Sequence, residues 1–410
     1  MQASVVMNEN LPSLIRENLV TRRWRQFRFL ADLVETPSEF TAGDMSAISD
    51  LTLRALRDMD LGVERHVVHP DASSGLSEIT NLVVRHEFSA GPVVALAAHG
   101  DTCSAAGNWS HNPLESQIRG GVFYGLGALS KADIAVFAYA LVALRDARPV
   151  LSGTVELHIT FDGEADGLWG TKWLLDNRIV NPDYALGSGH AYGIGTSSIG
   201  ALQLQVDIES LSAHLSADPM EAASKVLDGL YQLRATYAGI RSDLPGIGSP
   251  ALIIGQIHGG ERPDEVPGRV SFTLDRRVIP DEDPARVEAD LTQRIAETAS
   301  RMDGIICRIR RLKLSVPMKP GAGTDNLAGV LERQAGTVMG TPIPAYGVPY
   351  AATARHYTAV GIPSVLYGAG PEHIESARPG GPDECLALDD LRKATEAVAL
   401  TLGDFMTPAG

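Results

Sequence analysis

The stretch Val93-Val-Ala-Leu-Ala-Ala-His99-Gly-Asp101 decides how the rest of the chain is interpreted. Its apolar first part predicts a strand that is buried on both faces, because helices cover both sides of a parallel sheet. Open α/β sheets place their chemistry at the carboxyl ends of such strands. His99 and Asp101 would stand at that end, where the carboxylate can orient the imidazole. The stretch therefore predicts a functional site, with a simple polar turn as the alternative.

Three further features follow this stretch in order. A loop holds Trp109 and then Asn112-Pro113, Tyr124-Gly-Leu-Gly-Ala128 comes next, and an alanine-rich segment runs on to Leu144. Together with His99-Gly-Asp101, these features resemble the zinc aminoacylase and carboxypeptidase family, which includes succinyl-diaminopimelate desuccinylase, acetylornithine deacetylase and the glutamate carboxypeptidases. The resemblance implies an α/β catalytic domain with a mixed sheet and helices on both faces. It also implies that a ferredoxin-like α+β lid domain, which dimerises, interrupts this catalytic domain.

The order of predicted elements supports the same division. A β-α-β-β-α-β order runs from about Ser198 to Lys313 and is typical of a ferredoxin-like unit. A chain of 410 residues also exceeds the size of one comfortable core. We therefore expect a catalytic domain in two parts, 1–197 and 314–410, with the lid at 198–313. A homodimer through residues 198–313 is expected as well.

Composition narrows the class of partner. Hydrophobic residues make up 44% and charged residues 21% of the chain, as in ordinary folded enzymes. The net charge of -15 argues against nucleic acid and anionic membranes, because both are bound through basic surfaces. Three widely spaced cysteines and the lack of a long apolar run favour a cytoplasmic protein with reduced thiols. We therefore expect a small-molecule substrate.

The lid segment carries further motifs that match the family: Ser212-Ala-His214, Gly259-Gly260 and Asp275-Arg-Arg277. In relatives, the histidine matching His214 reaches across the dimer to the reacting carbonyl, and the arginine matching Arg277 holds the substrate carboxylate. An imidazole N–H can stabilise an oxyanion, and a guanidinium binds a carboxylate through two hydrogen bonds. The resemblance therefore predicts a carboxylate-bearing substrate, bound by Arg277, Gly259 and Gly260.

The metal-binding positions depart from the family pattern. Counting from Tyr-Gly-x-Gly, the aspartate that bridges the two zinc ions of relatives is Ser130 here, with Lys131 beside it. The paired glutamates of the family, a general base followed by a zinc ligand, are Gly163 and Glu164. A hydroxyl cannot replace a carboxylate that binds two cations, and glycine has no proton acceptor. The standard two-zinc mechanism is therefore doubtful.

Other ligand positions are altered too. Thr353 replaces the aspartate of the closing Gly-Thr-Asp-Ala-Arg pattern, and the family's last metal-binding histidine has no match directly before Glu384. The candidate metal ligands are His99, Glu164, His190 and His373. They would suffice for at most one tightly bound zinc, and the pattern is equally compatible with no metal. The candidate catalytic residues are His99, Asp101, Ser130, Lys131, Glu164 and His214.

Three functions fit this pattern. The first is a hydrolase of the amidohydrolase or metallopeptidase kind. It would cut the acyl–nitrogen bond of a small carboxylate-bearing N-acyl amino acid or peptide-like substrate, with a non-standard metal site. The second is a metal-free relative that carries out acyl transfer, elimination or ring closure in the same place, the expected cleft between the catalytic domain and the lid. The third is a catalytically silent binding protein. Retained His214 and Arg277 favour the first two, whereas Ser130, Gly163 and Thr353 favour the last two.

Overall fold

The computed structural model describes residues 10–70, 78–211 and 217–408. The chain divides into two compact units. The first contains Met1–Thr196, Pro320–Ala345 and Ala352–Gly410, and the second contains Ser197–Lys319 and Tyr346–Ala351. These bounds differ from the predicted ones, in which the lid ended at residue 313 and Tyr346–Ala351 belonged to the catalytic domain.

Strands and helices alternate along the chain. The strands are β1 (Val63–Val68), β2 (Ile79–Ser89), β3 (Val93–His99), β4 (Gln117–Arg119), β5 (Val122–Tyr124), β6 (Gly153–Thr160), β7 (Tyr184–Gly187), β8 (Ile194–Ser198), β9 (Gly200–Ser210), β10 (Ala251–Gly259), β11 (Arg269–Val278), β12 (Ile305–Ser315), β13 (Ala345–Val348), β14 (Ser364–Leu366) and β15 (Cys385–Ala387). The helices are α1 (Leu11–Glu35), α2 (Ser46–Asp58), α3 (Ala132–Ala147), α4 (Thr171–Asp176), α5 (Pro219–Tyr237), α6 (Pro284–Ala299), α7 (Thr324–Met339), α8 (Arg355–Ala359) and α9 (Leu388–Phe405).

An eight-stranded mixed sheet has the order β1-β2-β6-β3-β7-β14-β8-β13. Strand β3 lies near its centre and runs parallel to both β6 and β7. Its residues 94–98 are buried, as the apolar run predicted. The carboxyl ends of β3, β6, β7 and β14 consequently share one edge of the sheet, and His99 stands at this edge.

Helix α3 is the alanine-rich segment that follows the Tyr-Gly-Leu-Gly motif. All of its residues from Ala132 to Leu144 are buried, because the helix packs against β3 and β6 as well as against α1 and α9. Small alanine side chains permit this close approach on several sides. No helix in the described part of the chain combines the length and the apolar composition needed to cross a membrane.

A small antiparallel sheet, β15-β5-β4, was not predicted. Its strands have three residues each, too short to show alternation in sequence. Leu386 of β15 pairs with Phe123 of β5. The sheet therefore fixes Glu384, which precedes β15, beside the glycine-rich turn that leads into α3.

The second unit has the ferredoxin-like order β9-α5-β10-β11-α6-β12, as expected. Its antiparallel sheet runs β10-β11-β9-β12. Alternate residues of β9, such as Leu202 and Leu204, face a core beneath α5 and α6. Both helices begin with an aspartate cap followed by proline, at Asp218 and Asp283, which defines where each helix starts. The predicted fold class is thus confirmed for both units.

Candidate active site

His99 and Asp101 form a bonded pair at the end of β3. The His99 Nδ1 lies 3.0 Å from Asp101 Oδ1. The Asp101 carboxylate is fully buried and accepts the backbone N–H groups of Gly163 and Glu164, at 2.8 Å each. These bonds fix the ring orientation and leave Nε2 as the nitrogen that can meet a ligand. Burial lowers the pKa of His99, but the Asp101 carboxylate outweighs this and raises the pKa to about 9.

Gly163 lies directly beneath the His99 ring. A Cβ atom built on Gly163 would stand 2.3 Å from His99 Cγ and 2.5 Å from Nδ1, closer than real contacts allow. The sequence predicted that Gly163 stands where relatives carry the general base, and this assignment stays a prediction; the structure shows that the imidazole of His99 fills the space a side chain would need here. Glu164, the next residue, is exposed. The site therefore keeps an oriented imidazole and one exposed carboxylate.

The turn that carries Gly163 is held in place by two buried acids. Asp162 Oδ2 accepts the N–H groups of Trp169 and Gly170, at 2.7 and 2.9 Å. Burial raises the pKa of Asp162 to about 7. Asp166 is paired with Arg355 of α8, with Nη2 to Oδ1 at 2.7 Å. This buried ion pair was not predicted, although Arg355 is the arginine of the closing pattern in which Thr353 replaces the aspartate.

Asp133 is close to Ser130 in sequence, but its carboxylate binds backbone N–H groups. Its Oδ1 accepts the N–H of Ala369 at 2.8 Å, and its Oδ2 accepts the N–H of Gly189 at 3.1 Å. The carboxylate thereby ties together the loops that follow β7 and β14. Burial raises the pKa of Asp133 to about 7, although both N–H groups oppose the shift. Ser130 itself is only partly buried, in the turn before α3.

Lys131, a predicted catalytic residue, is completely buried. Its Nζ donates to the carbonyl oxygens of Leu33 and Thr36, at 2.7 and 3.2 Å, and so satisfies the carboxyl end of α1. Burial lowers its pKa to about 7. Nearby, Glu384 accepts three backbone N–H groups, from Gly127, Leu129 and Gly380. These contacts brace the glycine-rich turn, so Lys131 is held inside the protein.

The remaining candidate ligands do not join His99 and Glu164. His190 is largely buried against Gly370, and burial lowers its pKa to about 4. His373 is exposed, just before a short 3-10 helix. Within residues 10–70, 78–211 and 217–408, no three His, Cys, Asp or Glu side chains form a group that could hold one metal ion.

The predicted metal set is therefore not gathered in one place, and the donors present do not fit the family's two-zinc centre. The physical reason lies in the carboxylates. Near the strand ends, both oxygens of Asp101 and of Asp133 already accept backbone N–H groups, whereas Asp162 accepts two of them through Oδ2 and none through Oδ1.

The predicted substrate-binding residues of the lid also separate. Arg277 pairs with Ala251 at the start of β10, whereas Gly259, at the end of β10, pairs with Val270. The hairpin register thus puts Arg277 and Gly259 roughly 25 Å apart, at about 3.3 Å per residue. Arg277 Nε contacts Asp275 Oδ1 at 2.7 Å. Arg277, Gly259 and Gly260 therefore do not form one site within a single lid. His214 lies outside the described residues.

Comparisons with known proteins agree with this fold. The sequence profile of peptidase family M20/M25/M40 matches residues 95–404. A succinyl-diaminopimelate desuccinylase of Xanthomonas euvesicatoria pv. vesicatoria is 27% identical over 237 residues, which span 53% of this chain and 61% of that enzyme.

Two solved structures share the fold over nearly their full length. One is an M20 family metallo-carboxypeptidase from Sulfolobus solfataricus, with a TM-score of 0.75, 15% identity, and coverage of 93% of this chain and 99% of its own. The other is human carnosine dipeptidase 1, with a TM-score of 0.72, 16% identity, and coverage of 96% and 99%. At such low identity the structures support the fold alone. Since the profile spans most of the sequence, the chain belongs to peptidase family M20/M25/M40.

Proposed function

We propose that the chain hydrolyses the acyl–nitrogen bond of a small, carboxylate-bearing N-acyl amino acid or peptide-like substrate. The observation that carries the proposal is the His99–Asp101 pair, fixed at 3.0 Å beside the exposed Glu164 at the carboxyl edge of the sheet. Family membership supports the same bond type, because the named relatives are a desuccinylase and peptidases. Arg277 remains the proposed group for the substrate carboxylate.

The proposed reaction uses side chains alone, because the candidate metal ligands do not fit a site for two metal ions. Glu164 would accept a proton from water as the water oxygen attacks the acyl carbon. His99 Nε2 would give a proton to the leaving nitrogen as the carbon–nitrogen bond breaks. Asp101 would hold the ring throughout. One water is consumed, the acid and the amine are released, and proton transfer from Glu164 to His99 restores both groups.

A direct assay tests this proposal. N-succinyl amino acids, N-acetyl amino acids and dipeptides would be incubated with protein that has been dialysed against a chelator, and then with one and two equivalents of zinc. We expect turnover without added zinc, and a decrease in kcat/KM of about 100-fold or more in Glu164→Gln. Glu332→Gln on α7 is the matched control, since Glu332 is exposed and far along the chain from the site. Absence of turnover, or a need for two zinc ions, would refute the proposal.

A catalytically silent binding protein is the second candidate, and Gly163 favours it. The His99 ring leaves no room for a side chain at Gly163, the residue predicted to stand at the general-base position, which supports this alternative. This alternative predicts saturable binding of an N-acyl amino acid with no product in the same assay. Isothermal titration beside the activity measurement distinguishes the two candidates.

We also propose a homodimer formed through the lid. The resemblance implies that the strand predicted at Ala201 to Ile208, which is β9, and the helix after it, α5, are the dimerisation elements. In the four-stranded sheet β9 is an interior strand, so the edges of the sheet belong to β10 and β12. Ile253 and Ile257 on β10 are about half exposed, at 49% and 53%, which supports β10 as the contacting edge. Light scattering at about 20 µM should give the mass of two chains, and a monomer would contradict the proposal.

A further inference from the structure

A cleft lies where α1, the end of α2 and α3 meet, and none of its lining residues belongs to the site around His99. It encloses about 660 Å³, which is within the usual range for small-molecule sites. Its floor is apolar: Phe29, Tyr139 and Val142 are almost completely buried, and Ala55 and Met59 are partly buried beside them. The cleft can therefore bury an apolar group of modest size.

Most charges around the cleft are already paired. Arg28 binds Asp32 at 2.8 Å. Arg145 binds Asp146 at 2.8 Å and donates to the backbone oxygens of Met59 and Asp60, at 3.0 Å each. The guanidinium of Arg22 also contacts Asp146. Three guanidinium groups thus share two carboxylates, and these contacts stiffen the walls.

Three charged side chains are left over. The Arg25 guanidinium and the carboxylates of Asp58 and Asp60 also line the cleft; all three residues are exposed, and within the described residues none of them has an ion-pair partner on the cleft walls. Arg25 belongs to α1, and both aspartates belong to the end of α2 and the residues just beyond it. The spare cation and the spare anions therefore stand on two different walls.

Arg25 and Arg22 line the cleft together with Tyr139. Burial raises the pKa of the Tyr139 hydroxyl to about 12, and the charges of Arg25 and Arg22 oppose this rise. On the other wall, Asp58 and Asp60 flank Met59, whose side chain forms part of the floor.

We propose that this cleft binds a small zwitterion with an apolar body, namely an apolar amino acid or dipeptide. Its carboxylate would bind Arg25 and its ammonium group would bind Asp58 and Asp60, while the side chain covers Phe29 and Tyr139. A guanidinium–carboxylate contact is strong because two parallel hydrogen bonds form. The overall charge of -15 works against free anions, whereas a neutral zwitterion carries no such penalty.

Three related probes test the charges. L-phenylalanine has both charges, N-acetyl-L-phenylalanine lacks the ammonium group, and L-phenylalaninamide lacks the carboxylate. Isothermal titration of the full chain should show saturable binding of L-phenylalanine and about tenfold or greater weakening for each blocked form. If L-phenylalanine does not bind below about 10 mM, or if either blocked form binds equally well, the proposal is overturned.

Matched variants locate the binding. Arg25→Met should reduce L-phenylalanine to the affinity of the amide and should leave the amide unaffected. Asp58→Asn combined with Asp60→Asn should reduce the affinity for L-phenylalanine to that for the N-acetyl form and should leave the N-acetyl form unaffected. Asparagine tolerates the positive φ of 59° at Asp60. Arg54→Met is the control, because Arg54 is exposed on α2 and does not line the cleft. Equal losses in Arg54→Met and Arg25→Met would refute the site. The test measures binding alone, so its outcome does not depend on the proposed activity.

Discussion

Asp101 and Asp133 are two buried carboxylates near the same edge of the sheet, and their surroundings differ in one respect. Each accepts two backbone N–H groups. Asp101 also binds an ionisable side chain, His99, whereas Asp133 binds only the loops after β7 and β14. The Asp101 region is thus arranged to orient a reactive group, and the Asp133 region is arranged to hold loops together.

The difference shows why residue type is a poor guide to metal binding in this chain. Both carboxylates have the chemistry of a ligand, but a lone pair that accepts a backbone N–H is directed into the protein. At Gly163, the His99 ring fills the space that a side chain would need. The site holds an oriented imidazole, and the described residues gather no group of three metal-ligating side chains.

The largest expected effect comes from removing the charge of each carboxylate. Asp101→Asn should lower the free energy of unfolding by about 3–5 kcal/mol, because it leaves buried donors facing an amide N–H and separates His99 from its partner. Asp133→Asn should cost about 1–3 kcal/mol, since only backbone bonds are disturbed. Urea denaturation at pH 7 measures both. Equal losses would remove the distinction between the two regions.

The two regions should also respond to pH over different intervals. The pKa of His99 is raised from 6.5 to about 9, so its contribution is full below pH 6.5 and is lost as the pH rises towards 9. The pKa of Asp133 is raised from 3.8 to about 7, which favours the neutral acid in the folded state. The stability that Asp133 contributes is therefore full below about pH 4 and is lost as the pH rises from about 4 to 7.

Variants can isolate each interval. His99→Gln should remove the decline in stability as the pH rises from 6.5 towards 9, and Asp133→Asn should remove the decline as the pH rises from about 4 to 7, each on the order of 3 kcal/mol. Denaturation curves from pH 4 to 9 provide the measurement. A parent and a variant with parallel pH profiles would show that the titrating group had been wrongly assigned.

A steric test concerns Gly163 and His99. Gly163→Ala should lower the free energy of unfolding by about 1–3 kcal/mol, because the new methyl group overlaps the ring. The same substitution should be nearly neutral in a His99→Ala background, where the ring is gone. Gly229→Ala on the exposed side of α5 is the control, since a Cβ there meets nothing. If Gly163→Ala lowers the free energy of unfolding by the same amount with His99 and with His99→Ala, the two residues are not coupled and the steric explanation is wrong.

The smallest expected effect is that of chelation. The chain should hold at most one tightly bound zinc, and the core does not depend on an ion, so a chelator should shift the melting temperature by less than about 1 °C. Elemental analysis and differential scanning calorimetry measure the two quantities. Two zinc ions per chain, or a large loss of stability, would show that the donors rearrange around metal.

Several properties of this protein followed from the sequence alone. The apolar run before His99 predicted a central buried strand, and the β-α-β-β-α-β order predicted the ferredoxin-like unit. Both are patterns of local periodicity, which a single sequence records directly. That Ser130 and Gly163 stand at the family's bridging and general-base positions stays a prediction, made from their distances to recognisable motifs.

Other properties were decided only by tertiary structure. Lys131 and Asp133 have reactive side chains, but the fold uses Lys131 to satisfy the end of α1 and Asp133 to join two loops. His190 and His373 were candidates by residue type, and the chain path keeps them out of any metal-binding group among the described residues. The buried Arg355–Asp166 pair joins residues 189 positions apart. Hydrogen-bond partners depend on which segments meet in space, and local sequence patterns do not contain that information.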